Sequence, residues 1–215
     1  MNLTAEFLAA AVPAPRRILG VDLRPFSLGH LLLMQWLANS FVSGGKPGVE
    51  DLVTGVWVCS LCYAEALKAL RSGRIDMVER GRWRTRRSTV PLTSAFQRWR
   101  DVAGPFDVSA KCVEFSAYLK AGCQVPTVAT TRGENSDNAA APIPEVQSVK
   151  VTLMSRMHIP EVELMDRPWS LCLWDCYTLS AHDGSVKFLD GDSLAEAQST
   201  ADKLKVLIDS GKVKL

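Results

Sequence analysis

The stretch 23-LRPFSLGHLLLMQWLANSFVSGGKPGVEDLVTGVWVCSLC-62 holds two apolar helical runs joined by one glycine-rich turn. Ser27 is placed to cap the first run, its oxygen accepting an early backbone N–H, and Pro25 discourages an earlier start. A helix is predicted over about 28 to 38. Leu28, Leu31, Leu32, Trp36 and Leu37 make one face, while Leu33 and Met34 make other sides apolar, so this helix must be buried or partnered. SGGKPG at 43–48 breaks the chain. Glu50 and Asp51 then fall in the first turn of a second helix, where the helix dipole favours negative charge. Leu52, Val53, Val56, Trp57, Ser60, Ala64 and Leu67 keep helical spacing, which predicts one helix from about 49 to 71. The short turn makes an antiparallel hairpin the natural arrangement.

Working outward, 215 residues with 47% hydrophobic and 22% charged side chains can bury a substantial core. The net charge of +2 conceals an asymmetry: residues 1–120 hold 16 Lys/Arg against 10 Asp/Glu, and residues 121–215 hold 9 against 13. The halves are suited to attract each other or to face different partners. MNLTAEFLAAAVPAPRR lacks basic residues before its short apolar run and is broken by Pro13 and Pro15, so it does not read as a secretory signal. The six cysteines lie mostly in apolar helical runs, which suits free thiols in a reducing cytosol. Polar Gln35, Asn39 and Ser40 and flanking charges leave both apolar runs far short of about 20 residues, so no membrane span is expected.

Residues 71–100 turn strongly basic, and RGRWRTRR at 80–87 alternates arginine with Trp83 and Thr85. Short amphipathic helices are predicted over about 92–103 and 107–121, the second with Val108, Cys112, Phe115 and Leu119 on one stripe and Gly122 as its stop. Residues 123–147, with three prolines and a polar cluster, read as a mobile linker. Beyond it a helix over about 167–182 opens at Asp166 and Pro168. A turn at AHDGS, a short strand VKFL and a last helix over about 194–209 follow, the last with Ser193 and Glu196 in capping-box spacing. The expected architecture is mainly α: a helical bundle with an antiparallel helix hairpin, minor short β-strands and a mobile internal linker. Its units are an N-terminal helical domain at 1–122, the linker at 123–147 and a C-terminal helical subdomain at 148–215.

Chemistry-bearing motifs are scarce. CSLC at 59–62 and CLWDC at 172–176 each place two thiols on one face of a helix, but both sit in apolar sequence and read as packed small hydrophobes, so neither metal nor cofactor is expected. A mid-helix CSLC also lacks the strand-to-helix junction of a redox pair. His30, His158 and His182 are isolated, and no metalloprotease, nucleophile-elbow or phosphate-loop motif is present, so no residue is assigned as catalytic and no enzyme is expected. Two binding surfaces remain. Trp36, Trp57, Trp169, Trp174 and Tyr177 are the residue types that anchor protein contacts, and equally the types that anchor cores. Arg80, Arg82, Arg84, Arg86 and Arg87 are suited to track phosphates with Trp83 stacking on a base, or to form a solvated basic face.

RRILGVDLRPFSLGHLLL at 16–33, EDLVTGVWVCS at 50–60, FDVSAKCVEFSAYLKAG at 106–122 and RPWSLCLWDCYT at 167–178 give the chain a resemblance to uncharacterised phage and prophage proteins of tail modules. These genes lie near the tape-measure gene, where small helical tail assembly chaperones are encoded. The resemblance implies a chaperone, without enzymatic activity or cofactor, that binds the helical tape-measure protein or another tail protein in the bacterial host cytoplasm and keeps it soluble until tail-tube subunits polymerise. Trp36, Trp57, Trp169, Trp174 and Tyr177 would then hold the client. Self-association stays open, as do two other classes, a nucleic-acid-binding protein using residues 80–87 and a structural virion protein.

Overall fold

In a computed structural model of the protein, residues 3–80, 85–91, 107–130 and 145–189 are described, with residues 94, 97, 195, 196 and 199. The elements run α1 (Leu3–Ala11), β1 (Arg16–Ile18), β2 (Val21–Leu23), α2 (Leu28–Trp36), α3 (Ser40–Ser43), α4 (Val49–Ser60), α5 (Tyr63–Ser72), β3 (Arg74–Arg80), β4 (Thr85–Pro91), α6 (Val108–Gly122), β5 (Val128–Thr130), α7 (Glu145–Arg156), α8 (Glu161–Asp166), α9 (Trp169–His182) and β6 (Val186–Phe188). The fold is mainly helical, and its described strands form three two-stranded antiparallel ladders, β1–β2, β3–β4 and β5–β6.

The capping chemistry at Ser27 is as expected, with one addition. Ser27 Oγ accepts the His30 N–H at 3.2 Å, and His30 Nδ1 accepts the Ser27 N–H at 3.2 Å, so a histidine completes the capping box usually closed by Glu or Gln. The turn after α2 is held by Asp51, whose carboxylate accepts from the backbone N–H groups of Ser40 and Gly48, both at 3.0 Å. Partial burial works against the charged form of Asp51, but these donors outweigh it and hold its pKa below the usual value.

The single helix predicted over 49–71 is two helices. α4 stops at Ser60, Leu61 turns into extended backbone, and α5 restarts with Cys62 as its cap. The Cys62 N–H donates to Glu65 Oε2 at 3.3 Å, and the Tyr63 N–H donates to Asp166 Oδ1 at 2.8 Å. The first amides of α5 are therefore satisfied partly from 103 residues away. The break also separates Cys59, buried in α4, from Cys62 at the α5 cap, so CSLC does not lie on one helix face.

The helix predicted over 107–121 is α6, capped by Asp107, whose carboxylate accepts the Ala110 N–H at 3.1 Å. Within the segment read as a linker, Val128–Thr130 pairs with Val186–Phe188, and α7 begins at Glu145. Residues 131–144 lie outside the described residues. The helix predicted over 167–182 is α9, which starts at Trp169 with Pro168 as its cap. Asp166 belongs to α8 and caps α5 instead. The helices predicted over 92–103 and 194–209 fall mostly outside the described residues; residues 94, 97, 195, 196 and 199 are helical.

One core cluster draws on residues from Ile18 to Leu119 and from Val146 to Leu173, so the two sides of 123–147 share it. Their closest backbone tie joins residues 26–28 to 167–169. The Trp169 N–H donates to Phe26 O at 2.8 Å, the Leu28 N–H donates to Arg167 O at 3.2 Å, and Ser27 bridges Pro168. Close approach depends on three glycines, among them Gly122, where a Cβ would lie 2.6 Å from Phe26 Cβ. A Cβ on Gly29 would lie 2.6 Å from the Met165 carbonyl oxygen and from the Tyr63 ring, and one on Gly55 would lie 2.7 Å from the ring of fully buried Phe115. The ion pairs Arg17–Asp22, Lys111–Glu114, Lys150–Glu161, Arg156–Asp183 and Arg167–Asp175 each stay within one half of the chain.

Candidate functional site

α5 and α8 both line a trough of about 670 Å³. On α5 the trough is lined at Tyr63, Leu67 and Arg71, with Lys68 beside them, positions that follow the helical repeat along all ten residues of that helix. On α8 the lining residues Val162 and Met165 lie one turn apart. Met165 is buried, Leu67 and Tyr63 are half-buried, and Val162 is 79% exposed, a large fraction for a valine in a helix packed on a core. The trough is thus an apolar strip with charged shoulders.

The shoulders differ in what they have to spare. On α8, Glu161 is paired with Lys150 Nζ at 2.5 Å, whereas Asp166 accepts the Tyr63 N–H at Oδ1 and keeps its charge. On α5, no ion pair joins Lys68 or Arg71 to any described residue. Behind the trough, the His30 ring stands 2.9 Å through Nε2 from Leu61 O, at the α4–α5 break. Burial pushes the His30 pKa below its ordinary value, outweighing the Leu61 carbonyl and the Asp166 carboxylate, which favour the charged form. A neutral ring that accepts at Nδ1 and donates at Nε2 satisfies both contacts at once. His30 thereby ties the cap of α2 to the start of α5, and Asp166 ties the end of α8 to that start.

The aromatic residues singled out from the sequence are scattered. Trp57, Trp169 and Trp174 are 7%, 5% and 6% exposed and belong to the protein's own interior, so three of the five expected client anchors face inward. Trp174 sits between Phe7, edge-on at 5.6 Å, and Phe188, stacked at 5.8 Å. α1 and β6 therefore pack on α9. Tyr177 is half-buried, and Trp36, at the end of α2, is 62% exposed. Of the basic set, Arg80, Arg86 and Arg87 occupy the last rungs of the β3–β4 ladder, where Arg80 pairs with Thr85, Glu79 with Arg86 and Val78 with Arg87. Arg82, Trp83 and Arg84 lie outside the described residues.

Of the six cysteines, Cys59 and Cys172 are packed in the interior, while Cys62, Cys112 and Cys176 are half-buried and Cys123 is exposed. Burial pushes the Cys59 thiol up to about 12 and the Cys172 thiol up to about 12, which leaves both protonated near neutral pH. No three His, Cys, Asp or Glu side chains gather as a metal-binding group among the described residues, and no described helix is long and apolar enough to cross a membrane. Comparison with protein-family models, with characterised proteins and with solved structures finds no match to this chain.

The trough was hidden from sequence reading because it exists only through the break at Leu61–Cys62. With 49–71 taken as one helix, Leu67 continued the stripe of Val53 and Val56 into the core. The available signal was Cys62 followed three residues later by Glu65, a capping-box spacing with cysteine in place of serine or threonine.

Proposed function

We propose that this protein is a non-enzymatic tail assembly chaperone of a tailed phage or prophage, acting in the host cytoplasm by holding an amphipathic helix of the tape-measure protein. The family resemblance at residues 16–33, 50–60, 106–122 and 167–178 supplies the client. The observation that carries the reading is the trough lined by α5 and α8, an open apolar strip bounded by two helices, the geometry into which an amphipathic helix lays its apolar face. Reversible burial of such a face needs no cofactor. Of the five aromatic residues expected to hold the client, Trp36 and Tyr177 retain exposure, and the trough residues Leu67, Val162 and Met165 take over the role of the three interior tryptophans.

The test is co-expression with the tape-measure protein of the same genome, followed by pull-down at low and high salt. A soluble complex that persists in about 1 M salt, where the screening length is roughly 3 Å, supports hydrophobic holding. Tape-measure protein that stays insoluble with no complex formed defeats the reading.

A second reading, binding of nucleic acid, is favoured by the β3–β4 ladder, which brings Arg80, Arg86 and Arg87 to the last rungs of one hairpin. Such binding should fall steeply with salt and with the double substitution Arg84→Ala and Arg86→Ala. Retention of a labelled single-stranded oligonucleotide at rising salt distinguishes it from the first reading.

A further inference from the structure

We infer that the occupant of the α5–α8 trough is an acidic amphipathic helix of about three turns, seated with its apolar face on Leu67, Val162 and Met165 and its acidic flank along Lys68 and Arg71. This rests on the trough being the client site and specifies what chemistry the client segment must carry. The length follows from α5, whose lining positions run from Tyr63 to Arg71 across a ten-residue helix, about 15 Å at 1.5 Å per residue. The apolar requirement follows from the 79% exposure of Val162 above buried Met165.

The sign of the flank follows from the unequal shoulders. A basic flank would have to share Glu161 with Lys150 and would find Asp166, whose Oδ1 accepts the Tyr63 N–H, as the one lining carboxylate that no described ion pair engages. An acidic flank meets Lys68 and Arg71, one turn apart on the same helix and engaged by no described ion pair. With Glu161 paired to Lys150, the lining sets two cations, Lys68 and Arg71, against the single charge of Asp166, so the trough favours an acidic flank over a basic one. Acidic residues three or four apart on the docking helix would suit the three-residue Lys68–Arg71 spacing.

The experiment uses the full-length protein and three fluorescein-labelled synthetic 18-residue peptides with the same leucine stripe: one with glutamate flanks, one with lysine flanks, and one with the glutamate composition scrambled. Binding is read by anisotropy. The glutamate peptide should bind at least tenfold more tightly than the lysine peptide, as expected for two partly exposed ion pairs gained against two repulsions. Lys68→Glu plus Arg71→Glu should reverse that order, and Val162→Asp should abolish binding of both, with circular dichroism confirming that each variant stays folded. Equal binding of the glutamate and lysine peptides, or an order unchanged by the double charge reversal, overturns the inference. If the peptides behave as stated but the tape-measure protein is not held, the client identity fails and the trough chemistry stands. If the tape-measure protein is held through Val162 with no charge preference, the acidic-helix inference fails and the chaperone reading stands.

Discussion

His30 illustrates how one side chain can serve two elements, because its ring accepts from the Ser27 N–H and reaches the Leu61 carbonyl while almost wholly buried. Burial holds its pKa below the ordinary 6.5, so the unfolded chain binds a proton there that the folded chain refuses. Stability from this site is full above pH 6.5 and declines as pH falls below it, by up to about 1.4 kcal/mol per pH unit until the folded pKa is reached. Urea midpoints measured from pH 8 to pH 5 should show this decline in the native protein and a smaller one in His30→Gln. Thiols give a second residue-scale outcome: Cys59 and Cys172, fully buried and protonated, should resist iodoacetamide at pH 7.5 and label only after unfolding, as peptide mass mapping would reveal. The cap at Ser27 was legible in the sequence, since Ser after Pro before an apolar run is a local signal. The histidine that closes it was not, because its second partner lies 31 residues away.

At the scale of elements, the helices whose ends are set by nearby residues match expectation, as α6 does between Asp107 and Gly122. The α4–α5 break does not, because Asp166, which helps to cap α5, stands far along the chain on α8. Asp166→Ala should cost about 1 kcal/mol, as loss of a capping carboxylate generally does, and speed amide exchange in the first turn of α5 while leaving α6 unchanged. Hydrogen exchange read by mass spectrometry checks both halves of that statement. The α4–α6 contact makes a different demand. Gly55→Ala places a methyl carbon 2.7 Å from the Phe115 ring in a packed interior, and should destabilise the protein by about 1–3 kcal/mol in denaturant titrations. A glycine amid Leu52, Val53, Val56 and Trp57 marks close approach on sequence grounds alone, although what approaches it is fixed only by the fold.

Across the whole molecule, the predominance of helix was readable from periodicity, whereas the division of the chain around 123–147 did not foretell that both sides contribute to one core. Composition records local polarity, and nothing in it encodes that residues 26–28 pair with residues 167–169. Truncation at residue 160 should therefore yield an aggregating product rather than a folded N-terminal unit, since it removes buried Leu164, Met165, Trp169, Cys172 and Leu173 together. Sedimentation and near-ultraviolet circular dichroism of the truncated chain test this directly.

The same pairing governs how the protein is made. Its two partners leave the ribosome roughly 140 residues apart, an interval on the order of ten seconds at about 5–20 residues per second. Throughout that interval the side of nascent α2 that packs on α8, where Gly29 meets Met165, awaits its cover. A protein proposed to shelter another chain's helix thus depends, during its own synthesis, on shelter for one of its own.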